Sequence, residues 1–348
     1  MSSFDTYFIN AYMKTLFRTL ILVFIVFTSC ESGGSGYKYE TGTFPDVPVN
    51  MGKINSEYDD YNSTSPVIGT TSPLCFSSNR GSLGKDFDIV YKLLDVMMDK
   101  STGKLTVAEN TSGNLDVYTQ NLNLYNALTQ IKTASDEFGP YLIPQNKNYN
   151  YEGRNSSYIF LYSNNEGGSQ DIKFVHNLDG EYYSAPKQVS FLNTDKDDDY
   201  PSISDDFSTL YFCSNREGNF DIYNVALDTT ISVLSNLEDP ISKPIVKNLV
   251  LSSDSADKCP FIYENMMVFT SNRSGGFGGY DLYYALYENG QWSQPVNFGS
   301  KINTQYDEYR PIVKPMAEFT NDFMIFSSNR PGGKGGFDLY YVGVQKKF

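Results

Sequence analysis

The residues able to do chemistry are few and unevenly spread. The 348-residue chain has one histidine, His176, so Ser-His-Asp triads, Cys-His dyads and multi-histidine metal centres are excluded. Beyond Cys30, the cysteines Cys75, Cys213 and Cys259 have neither zinc-ligand spacing nor an even disulfide framework. Cys75 and Cys213 lie in apolar runs, LCFSSNR and YFCSNR, and read as small buried hydrophobes. The acids are more promising. Asp59-Asp60, Asp136-Glu137, Asp198-Asp199, Asp257 and Asp307-Glu308 each stand just before a strand-like run. Paired carboxylates are what glycoside hydrolysis requires. These acids recur at regular intervals, however, whereas a catalytic set should be unique to particular repeats. Asp195-Lys-Asp-Asp-Asp199 has the alternating carboxylates of a calcium loop, but Tyr200 stands where the tight turn needs Gly. No metal or cofactor is therefore expected. A net charge of −14 argues against nucleic acid as a partner.

The elements that position these residues form a repeat. Ser-Asn-Arg follows an apolar run at Ser78-Asn79-Arg80, Ser214-Asn215-Arg216, Ser271-Asn272-Arg273 and Ser328-Asn329-Arg330, with a degenerate copy at Ser163-Asn164-Asn165. A turn follows, Gly-rich in most copies, then an aspartate: Asp88, Asp171, Asp221, Asp281 or Asp338. Tyr and Phe number 28 and 24, a share that favours strands over helical bundles. Each interval has room for four short strands, the unit of a propeller blade. The long first interval implies an insertion over about 94–124, read as a lengthened hairpin. Tyr125-Asn-Ala-Leu-Thr-Gln-Ile then aligns with Tyr183-Ser-Ala-Pro-Lys-Gln-Val as a fourth strand.

Ring closure is also predicted. Pro48-Val-Asn-Met-Gly-Lys-Ile-Asn matches Pro295-Val-Asn-Phe-Gly-Ser-Lys-Ile-Asn, so the N-terminal segment supplies the fourth strand that the last repeat lacks. The expected fold is all-β: a propeller of five four-stranded blades over 46–348, closed by pairing the N-terminal strand with the last blade.

The pattern W-S-x-P-V-N…I-N-T-x-Y-D-E-Y-x-P followed by F-S-S-N-R-P-G-G-x-G-G-F-D-L-Y resembles the WD40-like (PD40) propeller repeats. These occur in TolB-like proteins and in outer-membrane lipoproteins of Bacteroidota-type bacteria. TolB-type propellers have six blades; the five anchors here predict five. The repeated residues read as builders of each blade. Asn79, Asn164, Asn215, Asn272 and Asn329 would cap turns, and the aspartates would accept turn amides. Arg80, Arg216, Arg273 and Arg330 would grip the loop acids with their planar forks. Blade two, with Asn165 in place of Arg, should lack one such pair. Trp292 reads as packing, and His176 as a strand residue without chemistry.

The first residues read as an address. Lys14 and Arg18 precede TLILVFIVF (19–27), which is too short for a bilayer core of about 30 Å. The run ends at Thr28-Ser29-Cys30, resembling a lipoprotein signal over 1–29 cleaved before an acylated Cys30, with translation starting at Met13 and a tether over 30–45. The resulting expectation is a non-enzymatic outer-membrane lipoprotein, held by lipid on Cys30 and presenting its propeller to envelope proteins. Its insertion would serve as a docking feature. The alternatives are a propeller that binds or hydrolyses glycans, and a periplasmic TolB-like component of an envelope complex.

Overall fold

The computed structural model describes residues 37–65, 71–111, 122–144, 157–177, 183–241 and 243–347. The signal-like segment, Met13 and Cys30 lie outside them. The chain forms two units. The smaller takes in the described residues 37–41 and 99–104, where the Asp99 carboxylate accepts from the Ser101 amide at 2.8 Å. No described helix is long and apolar enough to cross a membrane.

The larger unit is a five-bladed propeller, each blade an antiparallel sheet. Blade one contains Asp60–Thr64, Thr71–Ser78, Asp88–Met98 and Leu105–Glu109; blade two contains Glu137–Pro144, Tyr158–Asn164, Asp171–His176 and Lys187–Gln188. Blade three is built from Asp198–Ile203, Thr209–Ser214, Asp221–Ala226 and Ile245–Lys247. Blade four has Asp257–Tyr263, Met266–Ser271, Asp281–Glu288 and Val296–Asn297, with Gln291–Trp292 pairing the tip of its third strand. The last blade joins Glu308–Lys314, Asp322–Ser328 and Asp338–Val344 to Val49–Asn50, in register Val49↔Tyr341 and Asn50↔Tyr340. Second strands such as Tyr158–Asn164 and Asp322–Ser328 are buried on both faces, so they read as unbroken apolar runs.

Closure is tied by side chains as well. The Asn55 carboxamide accepts from the Leu339 amide (2.9 Å) and donates to the Leu339 carbonyl (2.9 Å). The segment expected as a tether, 30–45, includes residues packed on the propeller. Phe44 is buried, stacks on Phe319 at 3.9 Å, and its amide donates to Asn321. Gly335 abuts the Tyr58 carbonyl, where a methyl group has no room. Gly335→Ala should therefore lower the melting temperature and speed proteolysis of the N-terminal strand, both readable in a thermal melt with limited digestion.

The 94–124 region differs in part from expectation. Its hairpin is present, but its own strand Leu105–Glu109 serves as the fourth of blade one. The segment aligned with a strand is instead a helix, Leu122–Ile131. Leu124, Ala127, Leu128 and Ile131 are buried among Cys75, Ile89, Leu142 and Phe160 of blades one and two. That spacing of three and four residues is a helical stripe.

A repeated irregularity shapes the inner wall. Every first strand carries a bulge, with positive φ at Asn62, Gly139, Tyr200, Cys259 and Arg310. Such backbone costs about 1–3 kcal/mol at each non-glycine residue. Hydroxyls of the preceding blade help hold it: Ser327 accepts from the Asn62 amide (3.2 Å), Ser163 from Tyr200 (3.4 Å) and Thr270 from Arg310 (3.1 Å). The bulges re-aim the residues just before them, Tyr61, Phe138, Asp199, Lys258 and Tyr309.

Candidate functional site

The repeated charged residues are spent on joining strands and blades. Arg80 reaches Asp60 at 2.5 Å, Arg216 reaches Asp198 at 2.5 Å, Arg273 reaches Asp257 at 2.6 Å and Arg330 reaches Glu308 at 2.9 Å, and all four acids are fully buried. Each guanidinium also donates to a carbonyl, of Ile54, Leu192, Leu251 or Ile302, and lies over a phenylalanine of its own second strand. A hydroxyl four residues earlier caps every acid: Ser56, Thr133, Thr194, Ser253 or Thr304.

Asparagines form a second clasp. Asn79, Asn215 and Asn329 accept from the amides of Asp59, Asp197 and Asp307 at 2.9 Å, and Asn272 accepts from Ala256 at 2.8 Å. The carboxylates of Asp59, Asp136, Asp197 and Asp307 then accept from amides of the preceding blade, those of Phe337, Phe87, Gln170 and Tyr280. The repeated aspartates bind the outer part of each blade. Asp88 pairs with Lys132, Asp171 with Gln188, Asp221 with Lys247, Asp281 with Asn297 and Asp338 with Asn50. In blades four and five they also accept turn amides, from Phe277 and Lys334.

Two positions shift by one residue from the sequence reading. In blade two the turn asparagine is Asn165, which accepts from Asp136; Asn164 fills the serine slot and donates to Glu137 at 2.9 Å. The arginine slot there holds Glu166, so Glu137 has no guanidinium. Burial pushes its carboxyl up to about 7, against the pull of its hydrogen bonds from Thr133 and Asn164. In blade three the acidic pair is Asp197-Asp198, and Asp199 belongs elsewhere. Asp197 and Asp198 are thus engaged by Gln170, Asn215 and Arg216, and the calcium-like run is part of the clasp. The remaining sequence candidates are structural. Trp292 meets the rings of Tyr211 and Tyr287, and the His176 amide donates to Ser184.

Asp199 faces an axial cup of about 470 Å³. Two five-membered rings of side chains line it. One comes from the bulged first strands: Tyr61, Phe138, Asp199, Lys258 and Tyr309. The other precedes each repeated aspartate: Phe87, Gln170, Phe220, Tyr280 and Phe337. Aromatic residues fill seven of these ten places. Tyr61 contacts Phe87 at 4.9 Å and Phe337 at 5.7 Å, and Tyr280 meets Tyr309 at 5.4 Å. The exceptions sit on consecutive blades: Gln170 on two, Asp199 on three and Lys258 on four. Gln170 Oε1 and Asp199 Oδ1 are buried acceptors without a donor. The Lys258 ammonium lies 3.7 Å from the centroid of Phe220. Burial drives the Asp199 carboxyl up to about 7, although Lys258 and Ser163 pull it down. At neutral pH it can therefore both accept and donate.

Beside the cup is a buried cation that the sequence reading missed. Arg310 is fully buried, donates to the carbonyls of Pro260 (3.4 Å) and Pro140 (3.3 Å), and faces the ring of Tyr200 at 5.4 Å. It draws blades two, three and four toward blade five. The signal for both features lay in comparing columns of the repeat. The position after each clasp acid reads Tyr, Phe, Asp, Lys, Tyr, and the next reads Asn, Gly, Tyr, Cys, Arg.

No protein-family profile matches the chain, and a search of curated proteins finds no relative. Solved structures do resemble it. The α-L-arabinofuranosidase PaAbf62A of Podospora anserina, solved with cellotriose, is 10% identical, with 88% of this chain and 97% of that one covered at a TM-score of 0.48. A protein assigned as a glycoside hydrolase from Parabacteroides distasonis is 9% identical, covering 91% and 96% at 0.45. A protein assigned as TolB from Agrobacterium tumefaciens is 11% identical, covering 87% and 93% at 0.39.

Proposed function

We propose that this propeller binds a carbohydrate in its axial cup and does not cleave it. The broken fivefold pattern carries this reading. Seven aromatic rings offer faces on which the C–H side of a sugar stacks, and three consecutive blades replace aromatic residues with Gln170, Asp199 and Lys258. The orphaned Gln170 and Asp199 oxygens call for donors, which sugar hydroxyls provide. The cup's volume is within the range of small-ligand sites.

Hydrolysis needs two carboxyl groups free to act on opposite sides of the glycosidic bond. Asp59, Asp197 and Asp307 also line the cup, but they hold amides of the neighbouring blade. Among the described lining carboxylates, Asp199 is the one with a buried oxygen that lacks a partner. A glycan array followed by product analysis tests the reading. The expected outcome is binding lost in Tyr61→Ala, with no reducing ends released. Turnover of any glycan, or binding indifferent to Tyr61→Ala, would overturn it.

A protein partner is the second reading, favoured by Leu83 and Phe277, exposed at the tips of the turns that carry Phe87 and Tyr280. An envelope address is part of the proposal, supported by Lys14, Arg18, the 19–27 apolar run and Cys30. Metabolic labelling with palmitate should mark the parent and leave Cys30→Ala unlabelled; equal labelling would refute the anchor.

A further inference from the structure

We propose that the occupant of the cup carries a protonated amine, received by Asp199, so that the bound carbohydrate is an amino sugar with a free amino group. The inference rests on the carbohydrate reading and narrows it.

Three observations point the same way. The lining carries four carboxylates, Asp59, Asp197, Asp199 and Asp307, against the single ammonium of Lys258. Asp199 is only 5% exposed and its Oδ1 has no donor, so the cup contains a carboxyl group with part of its hydrogen-bonding capacity unused. Leaving such a group buried is costly, and a charged donor satisfies it more strongly than a neutral hydroxyl. Finally, the walls are π faces, which attract cations. The cup already shows this behaviour, since Lys258 rests its own ammonium on Phe220 at 3.7 Å. An ammonium group has three donors, enough for Asp199 Oδ1 and Gln170 Oε1 with one to spare.

The protonation state of Asp199 follows from its surroundings. Facing it are Lys258 from blade four, Ser163 from blade two, Asp197 and Asp198 from its own blade, and Tyr61, Tyr200, Cys213 and Cys259. Among them Lys258 brings a positive charge, and the buried Arg310 lies beyond Tyr200. A cationic ligand in the cup adds to these and favours the ionised carboxylate.

Calorimetric titration of the whole propeller at pH 7 with three β-1,4 trisaccharides tests this: cellotriose, the N-acetylglucosamine trimer and the glucosamine trimer. The glucosamine trimer should bind roughly tenfold or more tighter than the other two. Asp199→Asn should erase that preference, bringing the glucosamine trimer to the affinity that the neutral sugars show in the same variant. Lys258→Met, which removes the resident cation, should increase it. Equal affinity for all three sugars, or a preference that survives in Asp199→Asn, would overturn the amine inference and leave the carbohydrate reading standing. Failure of all three sugars to bind would overturn both.

Discussion

Glu137→Gln should melt several degrees higher than the parent at pH 8, and the gap should close by pH 4. Glu137 is fully buried and lacks the arginine that serves its counterparts in the other four blades. Burial raises its carboxyl to about 7, and its Oε2 has no hydrogen-bond donor. A group whose folded-state pKa is raised binds its proton more tightly in the native state. The stability this confers is complete below the unfolded value, near 4.5, and is lost as pH rises through about 7. The full span corresponds to about 3 kcal/mol. Gln mimics the protonated form, so it escapes the loss. Glu166→Arg should reach the same end by another route, placing a guanidinium in the vacant slot and flattening the pH dependence. Thermal melts across pH check both. A parent–variant difference independent of pH would show that Glu137 does not titrate in this range.

Arg216→Met should cost about 3–5 kcal/mol in denaturant unfolding, because it leaves Asp198 buried without its cation. Asp198 is fully buried, accepts from Thr194, and meets Arg216 at 2.5 Å. The guanidinium also holds the Leu192 carbonyl and lies over Phe212 and Tyr223, so its removal frees the loop that enters the blade. Removing both charges in Arg216→Met with Asp198→Met should recover much of the loss, since buried pairs replaced as a unit by apolar groups are often near neutral. A single substitution costing under about 1 kcal/mol would place this pair with ordinary surface ion pairs.

The blade count, the closing strand and the destination of the arginines were legible because each repeats. A residue that recurs in every blade meets a need common to every blade, and repetition makes that need visible in one chain. What escaped was local register and whatever breaks the repeat. By letter Asn164 aligns with the turn asparagines, while strand pairing puts Asn165 in the turn; an asparagine stands in the serine slot at the strand end. The segment around Tyr125 matches that around Tyr183 in three letters, while Leu124, Ala127, Leu128 and Ile131 mark a helix. By position Asp199 groups with the clasp acids, because it follows Asp198. Only the bulge at Tyr200, a backbone feature without a residue signature of its own, turns it into the cup. The site is therefore present in the sequence as an exception to a pattern, visible only against the exact register of the repeat.

The proposed ligand site is the axial cup. A crystal of the propeller soaked with the trisaccharides above tests this most directly. The predicted result is a sugar ring within the cup, stacked on the aromatic wall around Tyr61 and Tyr309, with a polar group against Asp199. Sugar bound only on the outer strands, with the cup filled by ordered water alone, would contradict it.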